Sequence, residues 1–266
     1  MYTAFRVQNY RCFEDLALTD LARVNLIAGK NNVGKTALLE TIFTHAASYN
    51  VEVFLRFSRW RGIQNMSFEN VSWGDTPWDS IFNDFDTERK IIIEAQNTQT
   101  GKRTIYLSFV HDPKELKTIE TTSPNGSDAA PLTSDSTHVF KLEHQDESGR
   151  LTSHHAIMDS KGIHVQASPS SPLFPAFMLP AKVQISPEEE ARRFTNIVTV
   201  GKRDVLVKAL KIVEPRLTNL ELLSFAGNII IWGDIGRDRF IPLAYMGDGM
   251  GRLVSLILAI MNATDG

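Results

Sequence analysis

The sequence predicts an α/β fold made of one glycine-looped βα unit, an antiparallel β-lobe and a helical half. Three observations lead there. The first is Gly29-Lys30-Asn31-Asn32-Val33-Gly34-Lys35-Thr36, a glycine-framed turn set between an apolar run and a helical pattern. The second is a change to strand periodicity from Lys90 onward, with short β-rich runs separated by turn residues. The third is the return of helical spacing after Ser186, which carries on towards the C-terminal apolar run Leu253–Met261.

Residues 29–36 have the form G-x-x-x-x-G-K-[ST], the phosphate-binding loop of P-loop NTPases. Two glycines let the backbone curl so that successive N–H groups point inward as an anion nest, and the following helix adds the positive end of its dipole. Lys35 then reaches the β- and γ-phosphates, and the Thr36 hydroxyl takes a place on Mg²⁺. Val24–Ala28 is expected to be the buried strand before the loop. Lys35 to about Ser48 is expected to be an amphipathic helix with Leu38, Leu39, Ile42, Phe43 and Ala46 inside. The expected ligand is a nucleotide with Mg²⁺, held by Gly29, Lys30, Asn31, Asn32, Val33, Gly34, Lys35 and Thr36.

Composition narrows the setting. The chain has 266 residues and is 42% apolar and 22% charged, as globular proteins are. Its apolar runs fall short of the ~20 residues that span a bilayer, and its first residues lack a secretory pattern, so no membrane role is expected. The lone Cys12 excludes an internal disulfide and predicts a cytoplasmic, reducing location. A net charge of −3 gives no global pull towards nucleic acid. The clusters Arg56/Arg59/Arg61, Arg192-Arg193 and Lys202-Arg203 read as solvated faces, and His154-His155 as a solvated strand end rather than a metal ligand pair.

In chain order, Phe5 and Val7, then Leu16–Leu18, predict a β-hairpin ahead of the loop. The aromatic stretch 49–88 reads as a core-covering excursion rather than a surface for stacking bases. Strands are predicted at Ile91–Ala95, Thr104–Phe109, His138–Glu143, Leu151–Met158 and Ile163–Gln166. Thr121–Ser136 is rich in turn formers and reads as a loop, and Ser168–Pro180 as an extended connection. Ser186-Pro187-Glu188-Glu189 is a helix start with Ser186 as N-cap and Glu189 closing a capping box. A second helix carries Val205, Leu206, Leu210 and Val213. Strands near Leu220–Ser224, Asn228–Trp232 and Arg239–Leu243 follow, with Gly233–Gly236 as a turn. The expected divisions are 1–48 (loop subdomain), 49–180 (β-lobe and insertions) and 181–266 (helical part).

Two phrases carry a family resemblance: Asn9-Tyr10-Arg11-Cys12-Phe13, and Val24-Asn25-Leu26-Ile27-Ala28 leading into the loop. Met1–Glu40 resembles the opening of the ABC-type ATPase heads of the SMC, RecF and OLD-like families. Tyr245–Arg252, with Gly247-Asp248-Gly249 before an apolar helix, resembles their signature motif. The resemblance implies an ABC/SMC-head-like P-loop fold, ATP and Mg²⁺ as cofactors, and a homodimer of ATP-sandwiched heads. In that arrangement Gly247, Asp248 and Gly249 of one copy face the nucleotide of the other. It also implies DNA or a nuclease or effector as partner, in DNA maintenance or antiphage defence. The family's signature serine aligns with Gly247, which leaves backbone donors only, and Asp248 is expected to cap the helix.

The family's next element, a strand ending in paired carboxylates, is not found before Gly266. Asp234 and Asp238 do not have its pattern, so the chain reads as a fragment or truncated protein that binds nucleotide and hydrolyses it weakly, with its catalytic residues unassigned. Gln184 is a weak counterpart of the family's metal-contacting glutamine. A non-hydrolysing nucleotide-gated module is the rival reading. A GTPase or kinase is disfavoured because the guanine-reading Asn-Lys-x-Asp motif is absent.

Overall fold

Alternation of Phe5 and Val7 with polar neighbours builds the first hairpin, and the rest of a large sheet grows from it. The computed structural model describes residues 1–47, 51–61, 76–122, 137–159, 162–166, 176–180 and 185–263. The chain divides into two compact units, Met1–Ala176 and Phe177–Gly266.

In the first unit, β1 (Tyr2–Tyr10) pairs with β2 (Phe13–Leu18) on one side and β3 (Ile91–Asn97) on the other. β4 (Gly101–Phe109), β5 (His138–Gln145), β6 (Leu151–Asp159) and β7 (Gly162–Gln166) complete a seven-stranded antiparallel sheet in the order β2-β1-β3-β4-β5-β6-β7. The β1–β2 hairpin that precedes the glycine loop thus lies in the same sheet as the β-lobe, joined to it by the β1–β3 pairing.

Helices α1 (Lys35–Ala47) and α2 (Glu52–Trp60) belong to this unit, with 3-10 turns at Asp79–Ile81 and Asn83–Phe85. The aromatic excursion supplies core. Trp78 stacks on Phe140 at 5.2 Å and 8°, and Phe82 stacks on Phe109 at 5.7 Å and 22°. Each such pair contributes roughly 0.5–1.5 kcal/mol beyond burial, so these rings are spent inside the fold. Phe68 and Trp73 lie outside the described residues.

Helix α3 (Pro113–Thr122) is absent from the sequence expectation, although its start signal is plain. Asp112 accepts from the Lys114 N–H at 2.9 Å, and Pro113 sits in the first turn, where a missing N–H costs nothing. Leu116 and Ile119 then pack on Val110, Val139 and Ile157. Lys141 pairs with Glu115 at 2.8 Å and Glu143 at 3.2 Å. The predicted loop Thr121–Ser136 begins inside α3, and its residues 123–136 lie outside the described residues, as do 167–175 of the extended connection.

In the second unit, α4 (Pro187–Thr199), α5 (Arg203–Leu210) and α6 (Asp248–Asn262) share a core with a three-stranded sheet whose middle strand is Asn228–Asp234. The Glu189 N–H donates to the Ser186 hydroxyl at 3.3 Å, so Ser186 is the N-cap as predicted. Glu189 does not close the box. Its carboxylate is taken by Arg192 at 2.6 Å and Arg193 at 2.8 Å, charge-assisted bonds that outcompete a neutral N–H. Arg193 also lies over the Phe177 ring at 4.5 Å.

β8 (Asn219–Phe225) and β9 (Asn228–Asp234) form a hairpin whose turn is Ala226-Gly227, with φ of 49° and 85°. The predicted turn at Gly233–Gly236 is therefore displaced: Gly233 and Asp234 belong to β9, and β10 is only Ile241–Pro242. Gly233 serves close packing instead. A Cβ there would lie 2.8 Å from Leu217 Cδ1 and 2.9 Å from Met246 Cε. No helix among the described residues is long and apolar enough to cross a membrane.

Candidate nucleotide-binding site

The glycine loop is built on the β1–β2 turn. Asn9 and Arg11 take left-handed backbone angles, φ 57° and 50°, which Asn tolerates better than most residues. The Asn9 side-chain amide donates to the Arg89 carbonyl at 2.8 Å, and the Asn83 amide donates to the Arg11 carbonyl at 2.6 Å. The turn is thereby fixed, with Cys12 and Phe13 projecting onto the loop. A Cβ on Gly34 would lie 2.5 Å from Cys12 Sγ and 2.6 Å from Phe13 Cζ, and φ there is 95°. Gly34 is demanded twice, by backbone angle and by close approach.

The loop feeds α1 directly, with the Leu38 N–H donating to the Gly34 carbonyl at 2.9 Å as the first helical bond. The N–H groups of Lys35, Thr36 and Ala37 therefore have no acceptor within the helix. The Lys35 ammonium donates to the Gly29 carbonyl at 2.8 Å and the Lys30 carbonyl at 2.6 Å, folding back over the loop. Thr36 is exposed beside it, as are Lys30, Asn31, Asn32 and Val33. Ammonium, hydroxyl and unpaired helix-start N–H groups form a donor set without a carboxylate, and that set fits an anionic polyphosphate with its hard cation.

The strand expected at Val24–Ala28 is not formed. Val24 is 86% and Leu26 92% exposed, and the segment pairs with no described strand. Asn25 explains the local path. Its side chain accepts from the Ala22 N–H at 2.9 Å and donates to the Ala22 carbonyl at 2.7 Å, closing a turn where a ladder would have to begin. The order is irregular segment, loop and helix.

Helix α1 differs from the simple apolar stripe. Leu38 and Ala46 are buried as expected, but Leu39 is 47% exposed, and the buried set includes Glu40, Thr41, Thr44 and His45. Glu40 is the residue sequence reasoning passed over. At 2% exposure it accepts from the Tyr10 hydroxyl at 3.1 Å and Arg11 Nε at 2.8 Å, while Arg61 reaches its other oxygen at 2.7 Å. Burial, then the Glu40 charge, pushes the Tyr10 phenol strongly up, so it stays a donor. A charged residue inside an apolar helical pattern was the available signal.

His45 closes the far end of α1. Its Nδ1 accepts from the Tyr2 hydroxyl at 2.8 Å, and its Nε2–H points to the Arg103 carbonyl at 3.3 Å, which fixes the neutral tautomer. Burial pushes its pKa down to about 4. His154 is likewise no solvated strand end: it is fully buried in β6, and desolvation lowers its pKa. Among the described residues no group of three His, Cys, Asp or Glu side chains is placed to hold a metal.

The second candidate motif begins α6 in the other unit. Gly247, with φ 106°, is the N-cap and offers no side chain. Asp248 is the first helical residue rather than the cap, where its charge favours the helix dipole. Gly247, Asp248 and Gly249 are exposed. The loop residues 29–36 form one contiguous site, Gly247–Gly249 lie in a separate unit, and Gln184 lies outside the described residues. The basic clusters are largely spent: Arg61 on Glu40, Arg192 and Arg193 on Glu189, and Arg203 on Glu221 at 3.4 Å.

Comparison with known proteins agrees with this geometry. A family model described as an AAA ATPase domain matches residues 1–166. Uncharacterized protein MJECL10 of Methanocaldococcus jannaschii is 33% identical over 67 residues, a match that spans 23% of this chain and 31% of that protein. With its glycine loop, its Lys35 and the fixed β1–β2 turn all inside the matched span, the chain belongs to the AAA ATPase domain family.

Proposed function

We propose that the chain is the ATP-binding part of an ABC/SMC/OLD-like ATPase head. In this reading ATP and Mg²⁺ draw two copies together, and the dimer gates a DNA-related or antiphage activity. One observation carries it. The phrase Asn9–Phe13 lies against the loop it was paired with in sequence, with Cys12 and Phe13 on Gly34 and Tyr10 and Arg11 on Glu40. Loop and turn are one mechanical piece.

Within that piece the N–H groups at the start of α1 take phosphate oxygens, and Lys35 exchanges two carbonyls for phosphate. Thr36 offers its hydroxyl to the cation. Bound Mg²⁺ supplies charge neutralisation for the phosphates. The start of α6, at Gly247–Gly249, offers the partner copy backbone donors at the positive end of a helix dipole. The test is light scattering with and without ATP–Mg²⁺. Nucleotide-dependent dimerisation abolished by Lys35→Ala supports the reading, and a mass unchanged by nucleotide removes the clamp.

A second reading, nucleotide-gated association without turnover, draws on Glu40. Both its oxygens are engaged by arginines, so it is unavailable as a base that polarises water. Phosphate release by this chain, abolished by Lys35→Ala, rejects that reading.

A further inference from the structure

The solvent side of the second unit's sheet breaks the usual rule that an antiparallel sheet presents polar residues outward. Register places Glu221 opposite Trp232, Leu223 opposite Ile230, and Trp232 opposite Pro242 on one face. The opposite face carries Leu220 and Ile231, buried in the core. The outward face is instead rich in apolar and aromatic side chains, with Glu221 and Asn228 towards its two ends. Leu223 is 40%, Phe225 39% and Tyr245 68% exposed.

These side chains line an open groove of about 620 Å³ together with Arg237 and Arg239. Phe225 lies edge-on to Trp232 and to Tyr245, with ring centroids 5.9 Å apart in both pairs, so the rings form a row. Trp232 is held in place by its indole N–H, which donates to the Leu223 carbonyl at 3.2 Å. Arg237 and Arg239 are exposed and make no hydrogen bond or ion pair with another described residue. The acidic neighbours are accounted for: Glu214 is held by Arg216, Glu221 by Arg203, and Asp234 accepts from the Gly236 N–H. Glu214 also feels the charge of Arg237, and Asp238, exposed between the two arginines, offsets them further.

From this juxtaposition we infer that the face is a binding site for single-stranded nucleic acid. Unpaired bases stack along the Trp232–Phe225–Tyr245 row, and Arg237 and Arg239 take backbone phosphates. An aromatic row beside two exposed guanidiniums suits a ligand that is planar, apolar on its faces and anionic at its edge. A duplex hides its base faces in its own stack and fits poorly. A mononucleotide has the right chemistry but covers only part of a row of rings. The inference does not rest on the glycine loop, which lies in the other unit.

The test is fluorescence anisotropy of a labelled dT12 oligonucleotide with the full chain, run against its duplex and against competing dTMP. The dT12 strand is expected to bind more tightly than the duplex and to be displaced by dTMP only at high excess. Tyr245→Ala, at an exposed position, is expected to weaken dT12 binding about tenfold. Arg237→Gln with Arg239→Gln is expected to lower the slope of log affinity against log salt by roughly 1.4. Lys35→Ala is expected to leave dT12 binding unchanged, which separates this site from the nucleotide loop. No dT12 binding, or binding indifferent to these groove variants, overturns the inference. So does a chain dimer that Tyr245→Ala dissolves while dT12 fails to bind, because the face is then a contact between copies. Equal affinity for dTMP restricts the site to a single nucleotide and overturns the strand.

Discussion

Gly34→Ala tests the joint between the β1–β2 turn and the glycine loop. The new methyl would sit 2.5 Å from Cys12 Sγ and 2.6 Å from Phe13 Cζ, at a residue whose φ is 95°. An L-residue with positive φ costs about 1–2 kcal/mol. Relieving two contacts that are an ångström too short costs about 1–3 kcal/mol more. The first unit should therefore lose about 2–5 kcal/mol, a fall in melting temperature on the order of 10 °C. The two costs separate in a double-mutant cycle. Cys12→Ala removes the sulfur, so Gly34→Ala should cost about 0.5–1 kcal/mol less in that background, with Phe13 and the backbone angle still opposing it. Thermal unfolding followed by circular dichroism gives the stabilities, and calorimetry gives ATP affinity, which should fall with the loop's shape. A Gly34→Ala protein that melts within about 2 °C of the parent and binds ATP normally would refute the reasoning. A cycle with no coupling to Cys12 would refute its steric half.

Glu40→Ala strips the carboxylate from Tyr10, Arg11 and Arg61 and should destabilise the first unit by about 3–5 kcal/mol, measured by urea denaturation. His45 makes stability depend on acid: with its pKa depressed to about 4 in the fold, the unfolded chain binds the extra proton. Stability is then full above about 6.5 and falls as the pH drops towards 4, by up to about 3 kcal/mol. Burial also lowers the pKa of His138, His144, His154 and His155, so His45→Gln should flatten this slope by about one proton without abolishing it, in denaturation at stepped pH. Ser186→Ala removes the oxygen that accepts from the Glu189 N–H and should cost the second unit about 1 kcal/mol in the same assay.

Much of the fold could be read from the chain because its signals are local. Period-two alternation located the strands of the large sheet, and Ser186-Pro187 located a helix start to the residue. Where reading failed, the deciding interaction was non-local or a competing local bond. Val24–Ala28 has strand composition, but composition supplies no partner, and Asn25 closes a turn on Ala22. Glu189 satisfies the capping-box pattern, yet two arginines within one turn of helix claim its carboxylate. The glycine loop was legible as a motif because phosphate chemistry fixes the spacing of its residues. Glu40 was not, because its role depends on Arg11 and Arg61 arriving from distant parts of the sequence. Gly34 showed as a motif position, while its steric reason, Cys12 and Phe13, is visible only in three dimensions.

The most direct test of the central claim is titration calorimetry of ATP–Mg²⁺ and GTP–Mg²⁺ into this chain and into Lys35→Ala. The expected result is saturable ATP binding that Lys35→Ala weakens by about a hundredfold, the size of a lost charge-assisted phosphate contact of roughly 3 kcal/mol. Equal heats from the parent and Lys35→Ala, or no binding by the folded parent, would contradict a nucleotide site at Gly29–Thr36.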